Sequence, residues 1–456
     1  MTITTAADIA PPAAMGGPVD VVIPPASLAF RRYAVVLLLL IFILNFFDRQ
    51  VINILAEQIR HDLHLADWQI GMMTGFAFAM CNALFGLPLA YLADRYNRPF
   101  LLGGAVAVWS AFTALCGGAQ NFGQLIIARL GVGAGEAGCT PLAQSLICDY
   151  VPREKRASAL SLYHMGVPLG SLLGLAVGGV LADAFGWRNA FLIAGAPGLV
   201  FAVLAAATLR EPRRAFAERL SATRADRPGF RETLKYLAKK RSFLLVAFGS
   251  ALKAFLSYGH APFVAVFFFR AHGPELAALA DPFHLRAAGF LGISLGLISG
   301  IGGTLGIWLG GQIADRAAAR DVRAYCIVPA ISTVAGLPFT ISAFWVDSAP
   351  LALALLIIPA IIGSLWFGSV HTVETSVVPR HMRASSSAVA TLIRNLVGLG
   401  LGPLCVGLLS DYFGRSLGLG PALGVRWALT ISILRAFPAF ALFWAARSRL
   451  VEEIES

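Results

Sequence analysis

The sequence predicts an all-α membrane protein of twelve transmembrane helices, arranged as two pseudo-symmetric six-helix bundles. Composition is the first ground: 57% of the 456 residues are hydrophobic and 13% are charged, whereas a soluble chain carries about 25% charged residues. The second is length, since apolar stretches able to cross about 30 Å of hydrocarbon recur along the whole chain. The third is an internal repeat. Ala93-Asp94-Arg95 returns as Ala314-Asp315-Arg316, and Pro152-Arg153 with Arg156-Ala157 returns as Pro379-Arg380 with Arg383-Ala384. Gly179-x-x-x-Asp183-x-Phe185-Gly186 returns as Gly407-x-x-x-Asp411-x-Phe413-Gly414. The echoes lie 221, 227 and 228 positions apart in the same order, which marks two homologous halves. Paired halves let a membrane chain build a central site that opens to either side.

The spans fall at about 33–56, 69–92, 100–120, 122–149, 157–182, 188–209, 242–270, 286–313, 322–344, 350–378, 384–411 and 422–446, with ends uncertain by a few residues. They divide the chain into a tail (1–30), a first bundle (31–209), a linker (210–241), a second bundle (242–446) and a short tail (447–456). Glycines at three- and four-residue spacing, such as Gly170, Gly174 and Gly178, let helix backbones approach closely where burial supplies no driving force. Residues 1–30 lack the basic-then-apolar order of a signal peptide and read as a disordered tail. The basic linker reads either as solvated or as lying along an anionic leaflet.

The net charge of +11 is topology rather than nucleic-acid binding. With both termini on one face, that face receives 25 of the 36 Lys and Arg. The positive-inside rule then sets both termini in the cytoplasm of a bacterial-type inner membrane. The six cysteines all fall within spans and form no CxxC pair, so neither disulfides, metal nor cofactor is expected.

Ionisable residues deep in a span cost about 2.5–3.5 kcal/mol or more and are functional candidates by default. In span 1, Asn45, Arg49 and Asn53 share a helix face, with Asp48 about 100° away; a charged helix end is the alternative for Asp48. In span 4, Arg129 and Glu136 stand two turns apart with Gly133 between them, and Pro141 breaks the backbone ladder beyond. A buried carboxylate beside a movable cation responds to desolvation and to its partner, which suits proton coupling; a purely structural pair is the alternative. The second half offers Lys253 and His260 in span 7, His371 and Glu374 in span 10, and Arg394 in span 11. Glu374 is placed at an inner gate, His371 as a substrate contact or a hydrogen-bonded structural histidine, Arg394 as a substrate anion contact or a structural tie to the first half, and Lys253 as a snorkelling cation. Asp94, Arg95 and Arg98 after span 2, and Asp315 and Arg316 after span 8, read as conformational latches whose arginines stay in solvent.

Tyr91-x-Ala93-Asp94-Arg95-Tyr96-Asn97-Arg98 resembles the signature loop of the major facilitator superfamily, with Tyr91 and Asn97 where glycines are usual. Together with Asn45-Phe46-Phe47-Asp48-Arg49, Trp109-Ser110 and Arg129…Gly133-Ala134-Gly135-Glu136-Ala137, it is similar to the spinster branch of lysolipid and sphingolipid-phosphate transporters. The close match covers about residues 33–210. The resemblance implies alternating access of two bundles about a midplane cavity. Asp48, Arg49 and Glu136 would form the coupling and substrate-sensing cluster, assisted by Arg129. An amphiphilic anion would set its headgroup near Arg49 and its tail along Phe42, Phe46 and Phe76.

The expected activity is therefore proton-linked transport of a lysophospholipid-like anion by a monomer, with membrane lipids as neighbours. Proton symport of a small aromatic or sugar carboxylate is the alternative. An intramembrane enzyme is disfavoured, because His164, His260 and His371 are scattered and no HExxH or GxSxG motif occurs.

Overall fold

A chain crossing hydrocarbon must satisfy every backbone group internally, which for an unclosed chain means helix. The computed structural model describes residues 27–152, 155–212, 230–379 and 382–453, and these are helical with no strand among them. Both ends of the described chain lie on one face, called here the terminal face; the opposite is the far face.

Span 1 is Leu28–Asp62, capped by the Ser27 hydroxyl, and runs past its predicted end at residue 56. Span 2 comprises Asp67–Gly71, a π-helical segment Met72–Phe76 and Ala77–Arg95. Span 3 is Arg98–Gly117. Span 4 is broken into Phe122–Glu136 and Cys139–Tyr150, because the Pro141 ring cannot pack against the carbonyl of Ala137 in a continuous helix. Span 5 begins with Arg156–His164 and continues into Gly166–Thr208, which turns at Gly186 into span 6. Gly186 has φ +78°, a conformation open to glycine and costly for residues with a Cβ.

A short helix, Phe230–Lys239, precedes the second half. Span 7 is Arg241–Ala280, kinked at His272 just ahead of Pro274, and span 8 is Ala287–Ala318. Spans 9 and 10 are each broken, into Ala324–Ala335 with Leu337–Trp345 and Ala349–Ile362 with Trp366–Ser376. Span 11 comprises Arg383–Ile393, a π-helical segment Arg394–Gly400, Leu401–Asp411 and a second π-helical segment Tyr412–Ser416. Span 12 is Gly420–Ser432, a tight turn Ile433–Arg435 and Ala436–Glu453. The outer surface presents apolar side chains such as Leu199, Val200 and Val203, as lipid exposure requires.

The halves meet along two seams in the far part of the molecule. Spans 5 and 8 touch where a Cβ on Gly179 would strike the Ala288 carbonyl and one on Gly292 the Leu175 carbonyl. Spans 2 and 11 touch where Gly71 and Gly75 meet Pro403, and Gly407 meets Asp67. Arg270 of span 7 then bridges Glu57 of span 1 at 2.8 Å and Asp67 of span 2 at 2.7 Å. Asp67 also accepts from the Ser410 hydroxyl at 2.6 Å, and the Trp68 amide donates to Asp411 at 2.8 Å. Among the described residues no ion pair joins the halves near the terminal face. The described contacts between the halves thus close the molecule at the far face.

Candidate functional site

Four helices assemble the charged centre of the first half. Arg49 of span 1 donates through Nε to Glu136 of span 4 at 2.7 Å. The glutamate side chain is wholly buried, while 20% of the arginine side chain remains exposed. The guanidinium lies 5.0 Å from the Phe46 ring centroid and 4.7 Å from that of Phe78, a cation–π arrangement that holds the charge where water is scarce. Arg129 approaches the same Phe78 ring at 5.5 Å. Its Nε donates to the Met73 carbonyl at 3.2 Å, and its Nη1 has no hydrogen-bond partner. Phe78 thus separates two cations.

The small residues of span 4 make this possible. A Cβ on Gly133 would lie 2.6 Å from the Phe78 carbonyl, and one on Gly135 2.6 Å from the Trp109 amide. Spans 2 and 3 therefore press directly on the stripe that carries Arg129 and Glu136. Span 4 also breaks immediately after Glu136, leaving the carboxylate at the end of a half-helix. Its Oε1 makes no hydrogen bond of ordinary geometry, and buried Asn45 interacts with the carboxylate from span 1.

Asp48 points elsewhere. It is fully buried and turned toward span 3, where the Thr113 hydroxyl donates to Oδ2 at 3.3 Å. It stays within electrostatic reach of Glu136 and Arg129. Asn53 is buried but donates to Gln50 of its own helix at 2.9 Å, so the shared face with Arg49 does not bring it to Glu136. Phe42 stacks on Tyr163 with ring centroids 4.2 Å apart. Phe46 flanks Arg49, and Phe76 lies in the π-helical part of span 2.

In the second half, Glu374 of span 10 pairs with Arg394 of span 11, and His371 Nδ1 sits 3.9 Å from the same carboxylate. The two residues expected to play separate parts are thus partners. Lys253 does not snorkel: it is buried, and its ammonium donates to the Ser332 carbonyl at 3.4 Å. The break in span 9 at Gly336 loosens that stretch of carbonyls, so a donor from span 7 can reach one. His260 pairs with the Ser432 hydroxyl at 2.7 Å.

Arg98 departs from the solvated arginine expected of a loop. It is 1% exposed and lies between Glu211 and Asp149, with a further bond to Ser145 at 2.7 Å. The cause is tertiary: spans 3, 4 and 6 converge there and bring two carboxylates to one cation. The side chains of Asp94 and Arg95 lie outside the described residues. Asp315 and Arg316 are exposed, and Asp315 accepts from the Tyr325 hydroxyl at 3.0 Å.

The far-face clamp of Glu57, Asp67 and Arg270 escaped sequence reasoning. Each looked like an ordinary helix-end charge, and the signal that unites them, burial, appears only after folding. Phe78 escaped as well, for its ring carries no charge of its own.

The comparisons follow this geometry. A family model for the Major Facilitator Superfamily matches residues 38–403. An MFS-type efflux pump of Mycolicibacterium smegmatis is 33% identical over 425 residues, covering 92% of this chain and 94% of its own length. Protein spinster homolog 1 of Homo sapiens is 27% identical over 418 residues, covering 84% of this chain and 74% of its own. A solved bacterial homologue of the human lysosomal transporter spinster is 30% identical, with 94% of this chain and 100% of that chain covered. Its inward-facing unoccupied form superposes with a TM-score of 0.82 and its inward-facing occupied form with 0.79. The chain therefore belongs to the major facilitator superfamily of secondary transporters, on its spinster-like branch, and is not an enzyme.

Proposed function

We propose that the protein is a proton-linked carrier of an amphiphilic anion of the lysophospholipid kind. The observation that carries this reading is the Arg49–Glu136 pair, a cleft-facing cation held by a buried carboxylate with one oxygen left over. In the empty carrier Glu136 neutralises Arg49. An anionic headgroup that takes Arg49 leaves Glu136 buried without its cation, and proton uptake resolves that cost. Arg129 and Asp48 complete a charge set that shifts as a unit, while half-buried Phe46 and Phe76 offer apolar wall to a tail and Phe42, buried against Tyr163, backs them. The resemblance to the spinster branch of lysolipid transporters favours the lipid class, with spinster relatives matched over 74% of their length.

The remaining assignments belong to the same reading. The basic terminal face is cytoplasmic by the positive-inside rule, which makes a form closed at the far face inward-facing in an inner membrane. The protein acts as a monomer, in two six-helix units spanning 31–209 and 242–446 joined by 210–241. Glu374 and the Arg98, Asp94 and Arg95 group act at the inner mouth, as do Asp315 and Arg316.

Proteoliposome uptake of labelled lysophospholipids beside a panel of aromatic and sugar acids, with and without an imposed pH gradient, tests the proposal. Arg49→Ala should abolish transport, and Glu136→Gln should leave downhill flux while ending accumulation driven by the gradient. Normal gradient-driven accumulation by Glu136→Gln would refute the coupling role. Uptake of the acids alone would refute the substrate class.

A further inference from the structure

The second half carries a charged pair that its repeat with the first does not foretell. At the 227-residue offset Arg129 and Glu136 fall opposite Leu356 and Gly363, yet span 10 supplies a buried glutamate three turns further on. The Glu374 side chain is 0% exposed and that of Arg394 is 18% exposed, against 0% for Glu136 and 20% for Arg49. Each pair therefore sets a buried carboxylate behind a guanidinium that reaches solvent-accessible space. In each, one carboxylate oxygen meets the arginine and the other makes no hydrogen bond of ordinary geometry, Oε1 of Glu136, whose carboxylate also interacts with Asn45, and Oε2 of Glu374 beside His371. A buried acceptor without a donor is unfavourable and is relieved when a proton binds there.

Two further observations bear on the second pair. The His371 ring is 63% exposed and its Nδ1 lies 3.9 Å from Glu374 Oε2, which places a proton-relaying group between solvent and the left-over oxygen. Arg394 is also the first residue of the π-helical segment Arg394–Gly400, a kind of irregularity often found at functional sites. The far end of that segment meets span 2, where the Leu399 carbonyl abuts Gly75 and Gly400 approaches Ala79. The pair is thus mechanically continuous with the seam that closes the far face.

The other ionisable groups on elements packed against span 10 are engaged or distant. Lys253 of span 7 donates to the Ser332 carbonyl, and His260 pairs with Ser432. Tyr325 of span 9 donates to Asp315 of span 8. Arg316, Arg323 and Arg383 sit at the terminal-face ends of spans 8, 9 and 11. His164 of span 5 bonds Gln144 at 3.1 Å and interacts electrostatically with His371 across the cleft.

We propose that Glu374 and Arg394 form a second exchangeable ion pair, in which Glu374 takes a proton relayed by His371 and the freed Arg394 receives a carboxylate or phosphate group of the cargo. The His371 Nδ1–H bond breaks as the Glu374 Oε2–H bond forms, the exposed Nε2 of the ring takes up a proton from hydronium in bulk water, and no redox change occurs. The inference rests on reading Arg49–Glu136 as the first such pair. It makes the second half a chemical participant rather than a wall.

Infrared difference spectra across an acid titration, recorded on the full chain in nanodiscs with no cargo, test the proton half of this proposal. Wild type should show two buried carboxylic-acid bands, of which Glu374→Gln removes one and Glu136→Gln the other. A spectrum left unchanged by Glu374→Gln, in protein that elutes as a single species, overturns the second pair and leaves the first standing. A band removed by Glu374→Gln with none removed by Glu136→Gln defeats the carrier reading of the first pair, leaves Glu374 as a proton site, and overturns the proposal of a second pair working beside a first. Where Glu374→Gln does not fold, Arg394→Lys is the substitute and must shift the Glu374 band; an unmoved band overturns the proposal. For the anion half, lysophosphatidate binding should weaken about tenfold or more in Arg394→Gln and be largely restored in Arg394→Lys. Equal affinity in Arg394→Gln and wild type overturns it.

Discussion

Replacing Arg270 with alanine should open the far face. In the closed structure this guanidinium makes two hydrogen bonds to Glu57, at 3.0 and 2.8 Å, and two to Asp67, at 2.8 and 2.7 Å. Its side chain is 6% exposed, those of Glu57 and Asp67 16% and 8%. Removing the cation leaves buried Asp67 with only the Ser410 hydroxyl beside it at 2.6 Å, while Glu57 keeps Arg60 at 2.9 Å. Breaking one side of a buried ion pair costs about 3–5 kcal/mol, and opening the face removes that cost by returning the carboxylates to solvent. The closed form should lose the whole amount relative to the open one. At about 1.4 kcal/mol per tenfold, the closed-to-open ratio falls by roughly two to three and a half orders of magnitude. Double electron–electron resonance between spin labels at His61 and Asp281, both exposed on this face, reads the change as a longer distance population. The neutral triple variant Glu57→Gln, Asp67→Asn, Arg270→Gln should return most of the closed population, because it removes the uncompensated charge. An Arg270→Ala distance distribution that matches wild type would show that the glycine seams alone hold the face shut.

The other predictions concern packing and burial. Gly75→Leu should disrupt the closed far face, since its Cβ would lie 2.7 Å from the Pro403 ring and would strike the Leu399 carbonyl; the same spin-label pair measures it. Lys253→Met should raise the detergent melting temperature without loss of transport, by about 1–3 kcal/mol of stability, because a buried ammonium with a single 3.4 Å bond gives way to an apolar chain of similar length. Arg98→Ala should destabilise the first half by about 1.5–3 kcal/mol, seen as a lower melting temperature, since Glu211 and Asp149 would lose the charged hydrogen bonds of this guanidinium.

What could be read from the chain depended on whether the signal was local. Pro141 announced the break in span 4, and the break appears where ring sterics demand it, at Ala137 and Gly138. The glycines between Arg129 and Glu136 announced close helix contacts, and spans 2 and 3 do press on them. Asp48 and Arg49 were legible as buried charges, but not as groups facing different helices, because a helix-face angle names no neighbour. Arg98 and Arg270 illustrate the limit most clearly. Both read as loop cations, and both are buried between pairs of carboxylates that come from distant parts of the sequence.

By itself the sequence determined the fold class, the twelve crossings, the two homologous halves and the kinds of charge that enter the membrane. Those follow from composition and period, which hydrocarbon reads one segment at a time. Only the tertiary structure decided which charges meet: Arg49 with Glu136, Arg394 with Glu374, and Arg270 with Glu57 and Asp67. It also decided that the far face is shut. These choices depend on how twelve helices rotate and tilt against one another, and the energies that set rotation are contacts between residues remote in the chain.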